Sequence, residues 1–228
     1  MNLRPLARWL AALSLILIAC SMYVVFFRSP EERVMGERIR ILYVHVGAAW
    51  VAYLSYGVTA FGAAMFLARR NRFWDRVAAA SAEWGVVLTT ITLLSGSLWA
   101  RSVNGWWWRW DDPRLNLTLI LWFLYVGYLI LRRALDGEAR AAVSAVVAIA
   151  GLPAAVLNHF ATLLFRTYHP ESIMGRPDGP AADDTFVWAL VLSLAAYSAL
   201  YGWLLVERLR LSQVRDLVAS VRAGVVSD

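Results

Sequence analysis

Most of the chemistry available to this 228-residue chain sits in three histidines and a cluster of tryptophans. His45 falls in Leu42-Tyr43-Val44-His45-Val46-Gly47-Ala48-Ala49-Trp50, and His169 in Phe165-Arg166-Thr167-Tyr168-His169-Pro170. His159 lies ten residues before His169. Five of the twelve tryptophans stand between Trp99 and Trp110, beside Arg101, Arg109, Arg114 and the pair Asp111-Asp112. A belt of indoles at a membrane surface is the ordinary reason for such residues. Four tryptophans within Trp106–Trp110 would nevertheless point around every side of a helix and both faces of a strand, so some must face a partner or a ligand. Indoles next to guanidinium groups suit a planar aromatic ligand bearing carboxylates, stacked on its faces and ion-paired at its edge. Heme has that shape and charge. An isolated histidine is usually a hydrogen-bonded structural residue. Two at one level beside such a platform are equally well read as ligands, because imidazole is a common axial ligand of heme iron.

The elements that must hold these residues are membrane helices. The chain is 60% hydrophobic and 17% charged, with a mean hydropathy of +0.55, which excludes an ordinary soluble domain. Six apolar stretches of spanning length occur at about 7–27, 41–68, 78–99, 115–131, 141–165 and 185–206. The expected fold is therefore an all-α polytopic membrane protein with both termini on one side. All 22 basic residues are arginine. Thirteen fall at the termini and the loops on their side, against nine on the other side that are matched by nine acidic residues. Retention of arginine in the cytoplasm then puts both termini inside and the tryptophan-rich loop, 99–116, outside. The formal charge of +6 reports orientation and gives no reason to expect nucleic-acid binding.

Several alternatives are weighed on the same residues. The first span lacks a cleavage site and continues through Met22-Tyr23-Val24-Val25-Phe26, so it reads as a retained helix rather than a secretory or lipoprotein leader. Cys20 is the one cysteine, which excludes disulfides, a C-x-x-C pair and a zinc site. Residues 207–228 carry apolar positions at Leu211, Val214, Leu217, Val218, Val221 and Val225, an amphipathic helix for the inner membrane surface or a partner. Glu83, inside the third span, is open to a partner, to Arg76 or to a transport role. His159 is expected deeper in the fifth span than His169, as a buried residue hydrogen-bonded within the bundle.

Several motifs in order resemble the cytochrome c maturation protein C (heme exporter protein C) family. They are Tyr43-Val44-His45-Val46-Gly47-Ala48-Ala49-Trp50, Ser95-Gly96-Ser97-Leu98-Trp99, the tryptophan loop ending in Trp110-Asp111-Asp112-Pro113-Arg114-Leu115, and Asn158-His159-Phe160 with Arg166-Thr167-Tyr168-His169. The likeness runs from about residue 37 to 206. It implies a WWD domain that carries heme b on the external face of the bacterial cytoplasmic (inner) membrane. By position, His45 and His169 look like its axial ligands to heme iron. The platform and its charged edge would then be Trp99, Trp107, Trp108 and Trp110 with Arg101, Arg109, Arg114 and Asp111. The implied partners are a membrane-anchored heme chaperone, an ABC-transporter ATPase with its membrane subunit, and a small single-span protein. Three positions depart from the family's pattern: Asn104 in place of a usual Trp, two acidic residues at Asp111-Asp112 in place of one, and Pro170 directly after His169.

Two iron ligands leave no open coordination position, so the expected role is carrying and presenting heme rather than catalysing with it. The rival readings are a membrane-embedded b-type electron carrier, which would place histidine pairs deep in the bundle, and a subunit that moves heme through its own helices.

Overall fold

The computed structural model describes residues 3–33, 35–170 and 183–226. Arg176, counted among the outer arginines, lies outside them. All regular structure among these residues is helical. Helix α1 (Arg4–Tyr23) carries Pro5 in its first turn and runs into a π turn, Val24–Arg28. A 3-10 turn at Glu37–Ile39 leads into α2 (Arg40–Arg69), followed by α3 (Arg72–Asn104), α4 (Pro113–Ala134), α5 (Gly137–His159), the single turn α6 (Ala161–Leu164) and α7 (Asp184–Val226). Six of these segments are long and apolar enough to cross a membrane, so the chain is a multi-pass helical membrane protein.

The boundaries differ from the hydropathy reading where capping extends a helix. The Asn71 side chain accepts from the Phe73 amide and starts α3 ahead of its apolar stretch. At the other end α3 runs to Gly105, whose φ of 85° closes it in the left-handed region. Trp99 and Arg101 are thus helical, and the loop proper is only 105–112. The fifth span, expected to reach 165, stops at His159 in the turn at Phe160. Helix α7 does the reverse. It continues from the last span to Val226 without a break, 43 residues or about 65 Å of rise, and Leu211, Val214, Leu217, Val218 and Val221 stay exposed along its end.

Helices α2 and α3 form the central antiparallel hairpin, held close by small residues. A Cβ on Gly62 would lie 3.0 Å from the Trp74 carbonyl oxygen, and one on Gly85 would lie 2.5 Å from Ser55 Oγ. Around this pair pack Leu121, Tyr125 and Tyr128 of α4, Ala141, Ala145 and Ala148 of α5, and Tyr201 of α7. Helix α1 touches the bundle along a narrower seam, its buried residues Ala7, Ser14 and Ser21 recurring every seven positions. Buried hydroxyls return to carbonyls of their own helix, as Thr59 does to Ser55 and Thr89 to Gly85. Two ion pairs cross the bundle away from the tryptophan loop. Arg132 of α4 grips Asp75 of α3 with two bonds, 2.6 and 3.0 Å, and Arg208 of α7 grips Glu83 with two more. Glu83 therefore has a partner on α7 within the chain.

Candidate functional site

At the end of the bundle where α3 gives way to α4, a cavity of ≈ 830 Å3 opens among α2, α3, α4 and the segment after α5. That volume falls in the range of small-molecule sites. His45, on α2 about one and a half turns from Arg40, lines it. Its Nδ1 sits 3.1 Å from the Thr92 carbonyl oxygen and 3.2 Å from Ser95 Oγ, both on α3. A carbonyl can only accept, so Nδ1 carries the hydrogen, and in the neutral ring Nε2 holds the lone pair. Gly96 makes the room: a Cβ there would lie 2.8 Å from His45 Cε1.

His169 reaches the same cavity from the irregular segment after α6. Its Nδ1 donates to the Pro170 carbonyl 2.7 Å away, which again leaves Nε2 as the free nitrogen. Burial, then the Arg114 charge, hold its pKa down to about 4, so the ring is neutral at pH 7. The two imidazole centres are 6.2 Å apart, with 38° between planes. Two imidazole nitrogens about 2 Å from one ion on opposite sides would put their ring centres roughly 6 Å apart, which matches the separation found here. Each ring's second nitrogen tied to a carbonyl is the usual arrangement for a ligating histidine. Among the described residues no group of three or more His, Cys, Asp or Glu could hold a bare metal ion.

The tryptophans divide into those that wall the cavity and those outside it. Trp99, Trp106, Trp107 and Trp108 line it, Trp107 remaining 58% exposed. The indole N–H groups of Trp99 and Trp108 are buried without a hydrogen-bond partner, two donors available to a bound acceptor. Trp110 is 74% exposed and stacks edge-on against Trp108 without reaching the cavity. The arginines divide in the same way. Arg114, in the first turn of α4, lines the cavity and donates to the His159 carbonyl at 3.2 Å. Arg101 instead donates to the Gly105 carbonyl and closes its own helix. Arg109 is held by both Asp111 oxygens, at 2.9 and 2.7 Å, and lies 4.4 Å over the Tyr168 ring. The Arg109 guanidinium beside Asp111 lowers that carboxyl's pKa to about 2. Arg109 and Asp111 thus brace the segment that carries His169 rather than the cavity itself.

Three features of the site were not singled out from the sequence. Asp112 is fully buried, and its carboxylate joins the tryptophan loop to the His169 segment. Tyr53 and Asn158 add polar groups to the cavity wall. Trp106, outside the platform that the resemblance implies, lines it together with its neighbours. His159 departs from expectation: it is exposed, ends α5, and packs edge-on against Tyr53 and Phe160 at 5.4 and 5.0 Å. The helix stops at this residue, and only the single turn α6 and an irregular segment separate it from His169. An adjacent residue pair, Asp111-Asp112, gave no signal in the sequence of which carboxylate turns inward.

Fold and site define a multi-pass helical membrane protein with a cavity at one end, walled by indoles and lined by His45, His159, His169 and Arg114. The chain belongs to the heme exporter protein C family, which matches residues 2–223. It is 32% identical to heme exporter protein C of Bradyrhizobium diazoefficiens over 215 residues, 94% of this chain and 81% of that one. It is 30% identical to heme exporter protein C of Escherichia coli K12 over 213 residues, 92% and 82% of the two chains. A putative cytochrome c biosynthesis ccmC-like mitochondrial protein of Marchantia polymorpha is 35% identical over 113 residues, 50% of this chain and 49% of its own.

Proposed function

We infer that the cavity binds heme b and presents it, outside the bacterial cytoplasmic membrane, to a heme chaperone during maturation of c-type cytochromes. One observation carries this reading: two imidazoles with ring centres 6.2 Å apart, each with Nδ1 held by a carbonyl, in a cavity walled by indoles. His45 and His169 are the proposed axial ligands. Trp99, Trp106, Trp107 and Trp108 form the stacking wall, and Arg114 is the cation for a propionate, with the indole N–H groups of Trp99 and Trp108 as further donors. Arg101, Arg109, Asp111 and Trp110 shape and brace the surrounding loop.

With His45 and His169 both holding it, heme iron would be left no free position, which favours carriage over oxygen chemistry. The chain's own contribution is positional. It holds two nitrogens ready, excludes water with aromatic walls, and leaves Trp107 and Trp110 exposed at the mouth, where an acceptor can approach. The excess of arginine on the side of the termini supports the orientation, with that end in the cytoplasm. Membership of the family supports the remaining partners: an ABC-transporter ATPase with its membrane subunit, and a small single-span protein.

The test is the absorption spectrum of the chain purified in detergent and loaded with hemin. Wild type is expected to give a six-coordinate low-spin Soret band, and His45→Ala and His169→Ala each to lose it. An unchanged low-spin spectrum in both variants would reject the ligand assignment.

A further inference from the structure

We propose that Asp112 is a positioning residue that latches His169 into the cavity, resting on the reading of His169 as a ligand. His169 stands on a segment without regular structure, so its placement depends on what that segment is tied to. Asp112 supplies the tie with the two halves of one carboxylate. Oδ1 accepts from the amides of Arg114 at 2.9 Å and Leu115 at 3.1 Å, capping α4. Oδ2 accepts from Thr167 Oγ1 and from the Tyr168 amide, both at 2.6 Å. Thr167 Oγ1 in turn accepts from the His169 amide at 3.1 Å, so a short chain of bonds runs from α4 to the ligand. The carboxylate is fully buried, where bonds to an ionised acceptor are strong and an unmade one is costly. The same carboxylate fixes Arg114, two residues on, at the cavity wall. One side chain therefore sets the spacing between the proposed cation and the proposed ligand.

The two oxygens have separable jobs, which gives a clean substitution. In Asp112→Asn the remaining oxygen can still cap α4, but the amide nitrogen cannot accept from Thr167 or Tyr168. The hemin-loaded full chain in detergent is then compared as wild type, Asp112→Asn, Thr167→Val and His169→Ala. Asp112→Asn is expected to retain helicity by circular dichroism and to bind hemin through His45. Its spectrum should move from six-coordinate low-spin to mainly five-coordinate high-spin, about a tenfold or greater loss of the second ligand. Thr167→Val, which leaves the cap intact, should shift the spectrum the same way, and added imidazole should restore the low-spin band in all three variants. If His169→Ala becomes high-spin while Asp112→Asn and Thr167→Val stay low-spin, the latch is wrong and the ligand reading stands. If His169→Ala itself stays low-spin, the ligand reading fails and the latch with it.

Discussion

A histidine held neutral is a ligand that needs no proton removed. His169 has its pKa lowered from 6.5 to about 4, by burial first and by the Arg114 charge second. At pH 6 roughly 75% of an ordinary histidine with pKa 6.5 is protonated, against about 1% of one at pKa 4. The sign for stability follows. Below pH 6.5 the unfolded chain takes up a proton that the folded chain refuses, so the His169 contribution turns progressively destabilising as pH falls toward 4, and it is nil above 6.5. Nuclear magnetic resonance of the ligand-free protein, with labelled histidine, should therefore show the His169 ring titrating near pH 4. A midpoint near 6.5 would mean the ring is solvated and the cavity wall is misplaced. The contrast between Asp111 and Asp112 belongs at this scale too. Identical side chains one residue apart differ because one faces Arg109 at the surface and the other accepts four bonds in the interior.

At the level of elements, the site depends on how closely α2 and α3 approach. Thr92 and Ser95, one turn apart on α3, present a carbonyl and a hydroxyl to the His45 ring, and Gly96 beside them has nothing beyond Cα to obstruct it. Gly96→Ala would place a methyl 2.8 Å from His45 Cε1, inside contact distance, so the ring must shift from its place on the cavity wall. The expected outcome is a fold of unchanged helicity that binds hemin at least tenfold more weakly, because about 1–3 kcal/mol of overpacking falls on His45, the proposed ligand. Hemin titration followed at the Soret band measures it, and unaltered affinity would show that the ring has slack in the pocket. The sequence made Ser95-Gly96 visible as part of a motif. It could not show that a residue fifty positions from His45 makes room for it, since that is a property of two helices packed together.

Across the whole molecule, polar pairs far from the cavity clamp the bundle. Arg132 and Asp75 are both largely buried, so removing one strands the other's charge. Arg132→Leu should lower stability by about 3–5 kcal/mol, and adding Asp75→Leu to it should recover most of that loss. Thermal unfolding in detergent, followed by circular dichroism, reads both variants, and equal melting of wild type and Arg132→Leu would show that the pair contributes nothing. The aromatic-walled cavity lies at the opposite end of α3 from this clamp, so hemin binding in the folded double variant should be unaffected. Helix α7 links the regions: Ser193 bonds the Tyr43 carbonyl near the cavity, and Arg208 meets Glu83 toward the other end.

Hydropathy determined the six spans, because a helix that crosses lipid must satisfy its own backbone and therefore announces itself as a local run of apolar residues. Local motifs likewise singled out His45, His169 and the tryptophan cluster. Tertiary structure alone decided which of the charged residues line the cavity. Arg101, Arg109 and Arg114 look alike in one dimension, yet one caps its helix, one pairs with Asp111 and one lines the cavity. It also turned Asp112 inward and left His159 exposed at a helix end. Arg101 and Arg109 find their partners four and two residues away, whereas Arg114 and Asp112 find theirs 45 and 55 positions away, where the packing of whole helices and not the local chain sets the partner.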